Sequence, residues 1–393
     1  MRWAGLHHAD RLALLVVGLS LVLANAWISP QAMADSFPAH LTPLAFNDLE
    51  GWADDDHAAA LIAFRRTCVQ SAERAPRTRS SGVDGQALAA ACASLQDNAT
   101  VDARAFFETH FTPHRVEAQG LLTGYFEPQV RASFERTGAF QHPLYARPVD
   151  LVELGSSPES LGIDDEVTWG RSTDSGFEAF PDRAAIMNGA LDGQNLELVY
   201  LQDPIDAFFI HIQGSARLAM TDGSVQRINF AGKSGHHYTP IGRTLVDWGE
   251  LALEDVTMDS LRSWLAAASP EDRDAVLATN RSFIFFAMAE DFAPSAGPVA
   301  AANVPLTPGR SLAVDRHLHT FGTPVFVQSE ERLPGDEEKL SRLMIAQDTG
   351  SAIVGPARGD IFIGSGNEAG RIAGAVNQPV SFTILMPNGA DDS

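Results

Sequence analysis

Near the C-terminus, three aspartates sit at the ends of apolar, strand-like runs. Asp315 follows Leu312-Ala313-Val314, Asp348 follows Met344-Ile345-Ala346-Gln347, and Asp360 precedes Ile361-Phe362-Ile363. A carboxyl at the end of a buried strand loses solvation, which disfavours its charged form and raises its pKa. Such a group can hold a proton near neutral pH and pass it to a leaving oxygen. The competing reading is plainer: an Asp beside Gly is ordinarily a turn residue that accepts nearby backbone amides.

Other constellations are weaker. Gly364-Ser365-Gly366-Asn367-Glu368-Ala369-Gly370 resembles a phosphate-cradling loop, but its spacing is not GxGxxG and no helical run of sufficient length is expected after it. Its natural use is close backbone approach to a bulky neutral ligand such as a sugar, through Gly364 and Gly366. His317 and His319 alternate on a strand-like stretch, and His236 and His237 are adjacent in a loop; neither pair has a third ligand at metal spacing, so no metal and no cofactor is expected. Ser365 lacks the surroundings of a nucleophile elbow.

The elements that must position these groups change character along the chain. From Asp54 to about Phe111 three helical segments are expected, interrupted by the polar stretch Pro76 to Gly85. After Gly120, strand-like runs dominate: Leu121 to Phe126, Leu196 to Leu201, and Ala207 to Ile212, where Phe208, Ile210 and Ile212 alternate with Phe209, His211 and Gln213. Thr221-Asp222-Gly223-Ser224 predicts a hairpin turn between Ala216 to Met220 and Val225 to Phe230. Further helices are expected from Thr239-Pro240 and from Ser269-Pro270-Glu271-Asp272. Asp291 to Pro308 reads as a boundary or long loop, and Leu312 to Met386 as strands with Gly-rich turns. The pattern predicts a mainly β fold with peripheral helices; a doubly wound sheet is disfavoured.

Fifty acidic residues against 28 basic ones give a formal charge of −22, which excludes bulk attraction to nucleic acid. Arg2 and Arg11 precede the apolar run Leu12 to Leu23, and Ala32-Met33-Ala34 follows as a small-x-small cleavage signal, so residues 1–34 read as a secretory signal peptide. The alternative is a retained anchor, although the run rises only about 18 Å as helix against a hydrocarbon core of roughly 30 Å. Export permits a disulfide between Cys68 and Cys92, each on the apolar face of a predicted helix; two buried free thiols remain the alternative.

Several longer motifs carry a family resemblance. Leu122-Thr123-Gly124-Tyr125-Phe126-Glu127-Pro128, Tyr145-Ala146-Arg147-Pro148, Pro204 through Ser215, and Pro305 through Asp315 resemble the MltA family of lytic murein transglycosylases. The tail from Gln347-Asp348-Thr349-Gly350 through Gly359-Asp360 to Gly364-Ser365-Gly366 resembles that family's C-terminal three-aspartate domain. The resemblance implies a six-stranded double-psi β-barrel facing a second, inserted β-barrel domain across a groove. Residues 35–129 and 292–390 would build the first, and 130–291 the second.

It also implies cleavage of the β-1,4 bond between N-acetylmuramic acid and N-acetylglucosamine in peptidoglycan, with the muramyl C6 hydroxyl attacking C1 to leave a 1,6-anhydro ring. Because the substrate supplies the nucleophile, one carboxyl can serve as acid and then base, where an ordinary glycosidase needs two. The family's acid falls on Asp360, with Asp348 and Glu127 as supporting or alternative acids and Asp315 as structural support. Thr123, Tyr125, Gln213 and Ser215 would meet sugar hydroxyl and acetamide groups. Alternatives from the same barrel are an inverting hydrolase using Asp348 and Asp360, or a non-catalytic wall-binding module. Family members are often outer-membrane lipoproteins, but no lipidation cysteine follows the apolar run here. A monomeric periplasmic protein, possible partners among wall-synthesis proteins aside, is expected.

Overall fold

The computed structural model describes residues 37–95, 101–154, 169–289 and 297–389. The expected leader, 1–34, and the expected boundary at 291/292 lie outside them. The fold is mixed α/β with more strand than helix, rather than mainly β. Among the described residues no helix is long and apolar enough to cross a membrane.

Six strands close on themselves. Gly120–Glu127 runs parallel to Arg358–Ser365, which is antiparallel to Ser311–Val314; that strand is parallel to Ser341–Asp348. Antiparallel pairings then lead through Pro324–Gln328 to Asn377–Pro387 and back to Gly120–Glu127. Phe111–Glu117 and His40–Pro43 extend the sheet outward from Asn377–Pro387. The ring is filled by Leu122, Leu312, Val314, Val325, Val327, Leu343, Ile345, Ile361, Phe382 and Ile384, all buried. These alternate along their strands, as period-2 geometry requires.

The helices His57–Glu73, Gly85–Ala93 and Ala103–His110 pack on this ring, each started by an aspartate (Asp56, Asp84, Asp102) whose side chain accepts a first-turn amide. Gln347 ties the first helix to the ring: its Nε2 donates to the Ala63 carbonyl at 2.8 Å and to Thr67 Oγ1 at 2.9 Å. Cys68 and Cys92 form the disulfide, with Cα atoms 5.2 Å apart, which decides against two free thiols.

A second, six-stranded sheet runs in the order Ile284–Met288, Val225–Lys233, Ser215–Met220, Gln129–Ser133, Glu197–Leu201, His142–Tyr145. A bridge between Ala146 and Phe286 brings its two edges together. Its central hairpin turns at Asp222-Gly223 as the sequence predicts, with Ser224 N donating to Asp222 Oδ1 at 2.8 Å and Gly223 at φ +87°.

Four sequence expectations need correction. Ala207 to Ile212 is not a strand but part of the helix Pro204–Gln213, capped by Asp203 and ended by Gly214 at φ +76°. Its alternating apolar residues also fit helical spacing, and Ile205, Phe208 and Phe209 pack together in a helical core. A helix does follow the Gly-rich loop, at Asn367–Gly374. Gly370 lies inside it because a Cβ there would stand 2.7 Å from the Phe126 ring. The helix expected from Thr239 starts at Ile241, with Pro240 at the cap and no side-chain capping bond. The stretch holding His317 and His319 is a turn, with His317 exposed and His319 buried.

The chain passes from the ring to the second sheet at Pro128, and Glu127 joins the two. Its side chain is wholly buried between Arg217 of the second sheet (Nε to Oε2, 2.9 Å) and Arg227 (Nε to Oε1, 2.6 Å), while Ser365 Oγ donates to Oε2 at 2.6 Å. Removing one partner of such a buried pair strands the other's charge. Glu127→Gln is expected to lower the unfolding free energy by about 3–5 kcal/mol in urea titrations; a change under about 0.5 kcal/mol, the usual size of a surface effect, would contradict this joint. The double change Cys68→Ser, Cys92→Ser is expected to cost about 3 kcal/mol in the same assay, the loop-closure value for a bridge of this span. An unshifted urea midpoint would show that the bridge constrains nothing.

Candidate functional site

Strand register assembles the site. Ala313 pairs with Asp360 on one side and with Asp348 on the other, where a bulge after Leu312 shifts the register by one residue. The two carboxylates therefore flank one short central strand, with backbones about two inter-strand spacings, or about 10 Å, apart. On the outer edge of the Asp360 strand, Thr123 is paired with Asp360 and Tyr125 with Phe362.

The polar contacts are directional. Arg358 Nη2 donates to Thr123 Oγ1 at 2.8 Å, and Thr123 Oγ1 donates in turn to Asp360 Oδ1 at 2.7 Å. Because Arg358 can only donate, it fixes the Thr123 hydroxyl proton on Asp360. Tyr125 Oη donates to Asp348 Oδ2 at 2.8 Å, and the Ala301 amide donates to Asp348 Oδ1 at 3.2 Å. Tyr125 is held from the side by Phe362, ring centroids 5.4 Å apart. Both oxygens of Asp348 are thus occupied. The Asp360 carboxyl accepts a single side-chain hydrogen bond among the described residues, on Oδ1, and none on Oδ2.

Electrostatics separates the two acids further. Asp360 keeps some accessible surface, yet protein atoms surround its carboxyl; desolvation outweighs the Thr123 hydrogen bond and the Arg358 charge, and its pKa rises to about 6. The Asp348 charge adds to that rise. Asp348 is also raised by burial, opposed by its bonds from Tyr125 and from the backbone amides of Thr349 and Ala301. Burial, aided by the Asp348 charge, holds the Tyr125 hydroxyl well above its ordinary value, so it stays protonated and donates.

The remaining expected residues separate into groups. Asp315 accepts the His317 amide at 3.0 Å on Oδ1 and the Gly355 amide at 2.9 Å on Oδ2, the turn-forming pattern. His319, pushed down to about 4 by burial, donates from Nε2 to the Pro356 carbonyl at 3.0 Å and ties the same two turns together. Gln213 does not reach the carboxylates; its Oε1 accepts the Phe126 amide at 3.1 Å and pins the helix end to the ring strand. Ser215 is buried at the start of a second-sheet strand. Gly364 and Gly366 end the Asp360 strand at φ +144° and +87°, and a Cβ on Gly366 would meet open space. Arg217 and Arg227 carry no local signal in the sequence, whereas Arg358 stands two residues before Asp360.

An open cleft of about 460 Å³ lies beside the joint, lined among others by Phe126, Arg131, Gln202, Arg262 and Arg371. Asp360 is not among its lining residues. Phe126 reaches it from the strand that carries Thr123 and Tyr125, so the cleft is adjacent to the carboxylate site but does not contain it.

Residues 121–287 match the MltA specific insert domain, and residues 310–386 the 3D domain. Membrane-bound lytic murein transglycosylase A of Escherichia coli (strain K12) is 34% identical over 262 residues, 65% of this chain and 62% of that protein. The Vibrio cholerae protein of the same name is 30% identical over 260 residues, with the same coverage. The alignments thus span about 62% of the length of these curated relatives. Among solved structures, a membrane-bound lytic murein transglycosylase from Agrobacterium tumefaciens superposes with a TM-score of 0.81 at 41% identity, covering 88% of this chain and 97% of that one. E. coli MltA with bound chitohexaose superposes at 0.64 with 26% identity, covering 85% and 91%. Two matched regions in order, and near-complete coverage of a solved relative at that identity, place this chain in the MltA family of lytic murein transglycosylases, with both the MltA insert and the 3D domain.

Proposed function

We propose that this chain is a lytic transglycosylase of peptidoglycan glycan strands, with Asp360 as its only acid and base. The carrying observation is the difference between the two flanking aspartates: among the described residues Asp360 has a donor on one oxygen only and a pKa raised to about 6, whereas both oxygens of Asp348 are held by donors. Asp360 gives its proton to the glycosidic oxygen as the C1–O bond breaks. The muramyl C6 hydroxyl then bonds to C1, and its proton passes to the Asp360 carboxylate. No water enters, and the acid is restored. Thr123, fixed by Arg358, orients Oδ1 so that Oδ2 faces the substrate; Tyr125 keeps Asp348 in place.

Glu127 and Asp315 we assign to support, because each is saturated by internal donors. The ring fits the six-stranded double-psi barrel expected from the family, and the handover at Pro128 fits a domain division at 129/130, with the strands from Ser311 to Pro387 returning to the ring. Gly364 and Gly366 suit close approach of the strand to the sugar. The bound chitohexaose of the E. coli relative supports a glycan ligand here. Export to the periplasm agrees with the disulfide, and association with a membrane agrees with the name membrane-bound that the relatives carry.

Two outcomes are expected from Asp360→Asn. Turnover of purified sacculi falls by at least about a thousandfold with glycan binding retained. Wild-type products carry anhydromuramyl ends, lighter by one water than hydrolytic ones; reducing muramyl ends alone would mean that Asp348 and Asp360 act as an inverting pair. Stability supplies the second outcome. Asp360 is raised on folding, so its neutral form is fully favoured below pH about 4 and the stabilisation is lost as pH climbs through about 6. The Asn variant lacks that loss, so it should exceed wild type by about 2–3 kcal/mol at pH 7.5 relative to the difference at pH 4. A pH-independent difference would contradict the raised pKa.

A further inference from the structure

The helices Ile241–Asp247, Met258–Ala267 and Pro270–Thr279 carry none of the residues that the reaction proposed above uses. Two of the chain's six tryptophans, Trp248 and Trp264, line one open cleft of about 450 Å³ there, together with Glu250, Ser269 and Asp272. Trp248 ends the first of these helices and is 51% exposed, an unusual position for the largest apolar side chain. Trp264 Nε1 donates to Glu250 Oε2 at 3.0 Å, which fixes indole and carboxylate against each other. Ser269 Oγ donates to Asp272 Oδ2 at 2.7 Å and so holds the second carboxylate. No cation lines the cleft among the described residues.

We propose that this cleft is a second glycan-binding site, taking a neutral stretch of amino-sugar strand away from Asp360. A pyranose ring offers an apolar C–H face bordered by hydroxyl and amide donors. The half-exposed Trp248 indole, with Trp264 beside it in the lining, matches the first, and carboxylate oxygens accept from the second. Anionic ligands are disfavoured by the two carboxylates, and that includes the peptide stems of the wall. The lining therefore selects the glycan backbone over its substituents, which gives a −22 chain a local hold on an acidic wall. The inference rests on the reading that the chain acts on glycans, and its test reads binding alone.

Full-length Asp360→Asn protein carrying 5-fluorotryptophan is titrated with chitohexaose, and the Trp248 fluorine resonance is assigned by its loss in Trp248→Phe. Retention on purified sacculi is measured in parallel for Asp360→Asn with and without Trp248→Ala. The Trp248 resonance should move in a saturable manner, and Trp248→Ala should reduce retention about fivefold, the scale of one lost aromatic contact, with an unchanged melting temperature. A resonance unmoved at millimolar chitohexaose overturns the proposal; if retention still falls, the cleft instead holds a wall-associated protein. Unchanged retention in Trp248→Ala overturns it as well. Failure of wild type to make anhydro products would sink the reaction assignment and leave both binding readouts standing.

Discussion

The strand Gly120–Glu127 is hydrogen-bonded along both edges, parallel to Arg358–Ser365 and antiparallel to Asn377–Pro387, and the closure of the six-stranded ring runs through it. The same register sets Thr123 opposite Asp360, Tyr125 opposite Phe362 and Glu127 opposite Ser365. A slip of one residue would exchange Thr123 and Tyr125 for Leu122 and Gly124, taking an apolar side chain out of the core and both polar groups away from the carboxylates. The hydrophobic demand on Leu122, fully buried in the ring, is therefore also what positions Thr123 and Tyr125 beside the two carboxylates. Glu127 extends the constraint to the second sheet through Arg217 and Arg227.

Carboxyl groups within this small region take different roles because their surroundings differ. Glu127 is the most buried, and two guanidinium groups keep it a structural joint. Asp315 is saturated by backbone amides and closes a turn. Asp348 is desolvated but holds a donor on each oxygen. Only Asp360 combines desolvation with a single donor, so a proton near neutral pH costs it least. Burial alone does not select an acid; the number of donors that burial leaves in reach does.

Much of this was legible from the residues. Aspartates bordering apolar runs marked Asp315, Asp348 and Asp360 as candidates, with the family resemblance choosing among them, and the Asp-Gly turn located the hairpin, because both signals are local. Two helical faces that need only pack made the disulfide one of two readings of Cys68 and Cys92, and the folded chain decides between them. The helix Pro204–Gln213 is ambiguous in the sequence because Phe208, Ile210 and Ile212 satisfy strand alternation while Ile205, Phe208, Phe209 and Ile212 satisfy helical spacing; Asp203-Pro204 and Gly214, a cap and a stop, are the decisive residues. The helix Asn367–Gly374 was hidden by Gly370, whose reason is the Phe126 ring more than two hundred positions earlier. Arg217 and Arg227 were invisible for the same kind of cause: only the folded chain brings the two sheets onto Glu127. Contacts set by long-range packing leave no periodic trace in the sequence.

The claim on which the rest turns is that Asp360 can keep its proton close to neutral pH. A carbon-13 NMR titration of aspartate-labelled protein, with the Asp360 carboxyl assigned by its absence in Asp360→Asn, measures this without turnover. A midpoint near 6 is expected from its desolvated position beside one hydroxyl donor. A midpoint at or below about 4, the ordinary value for a solvated aspartate, would mean that the Arg358–Thr123 pair dominates and that Asp360 is no general acid.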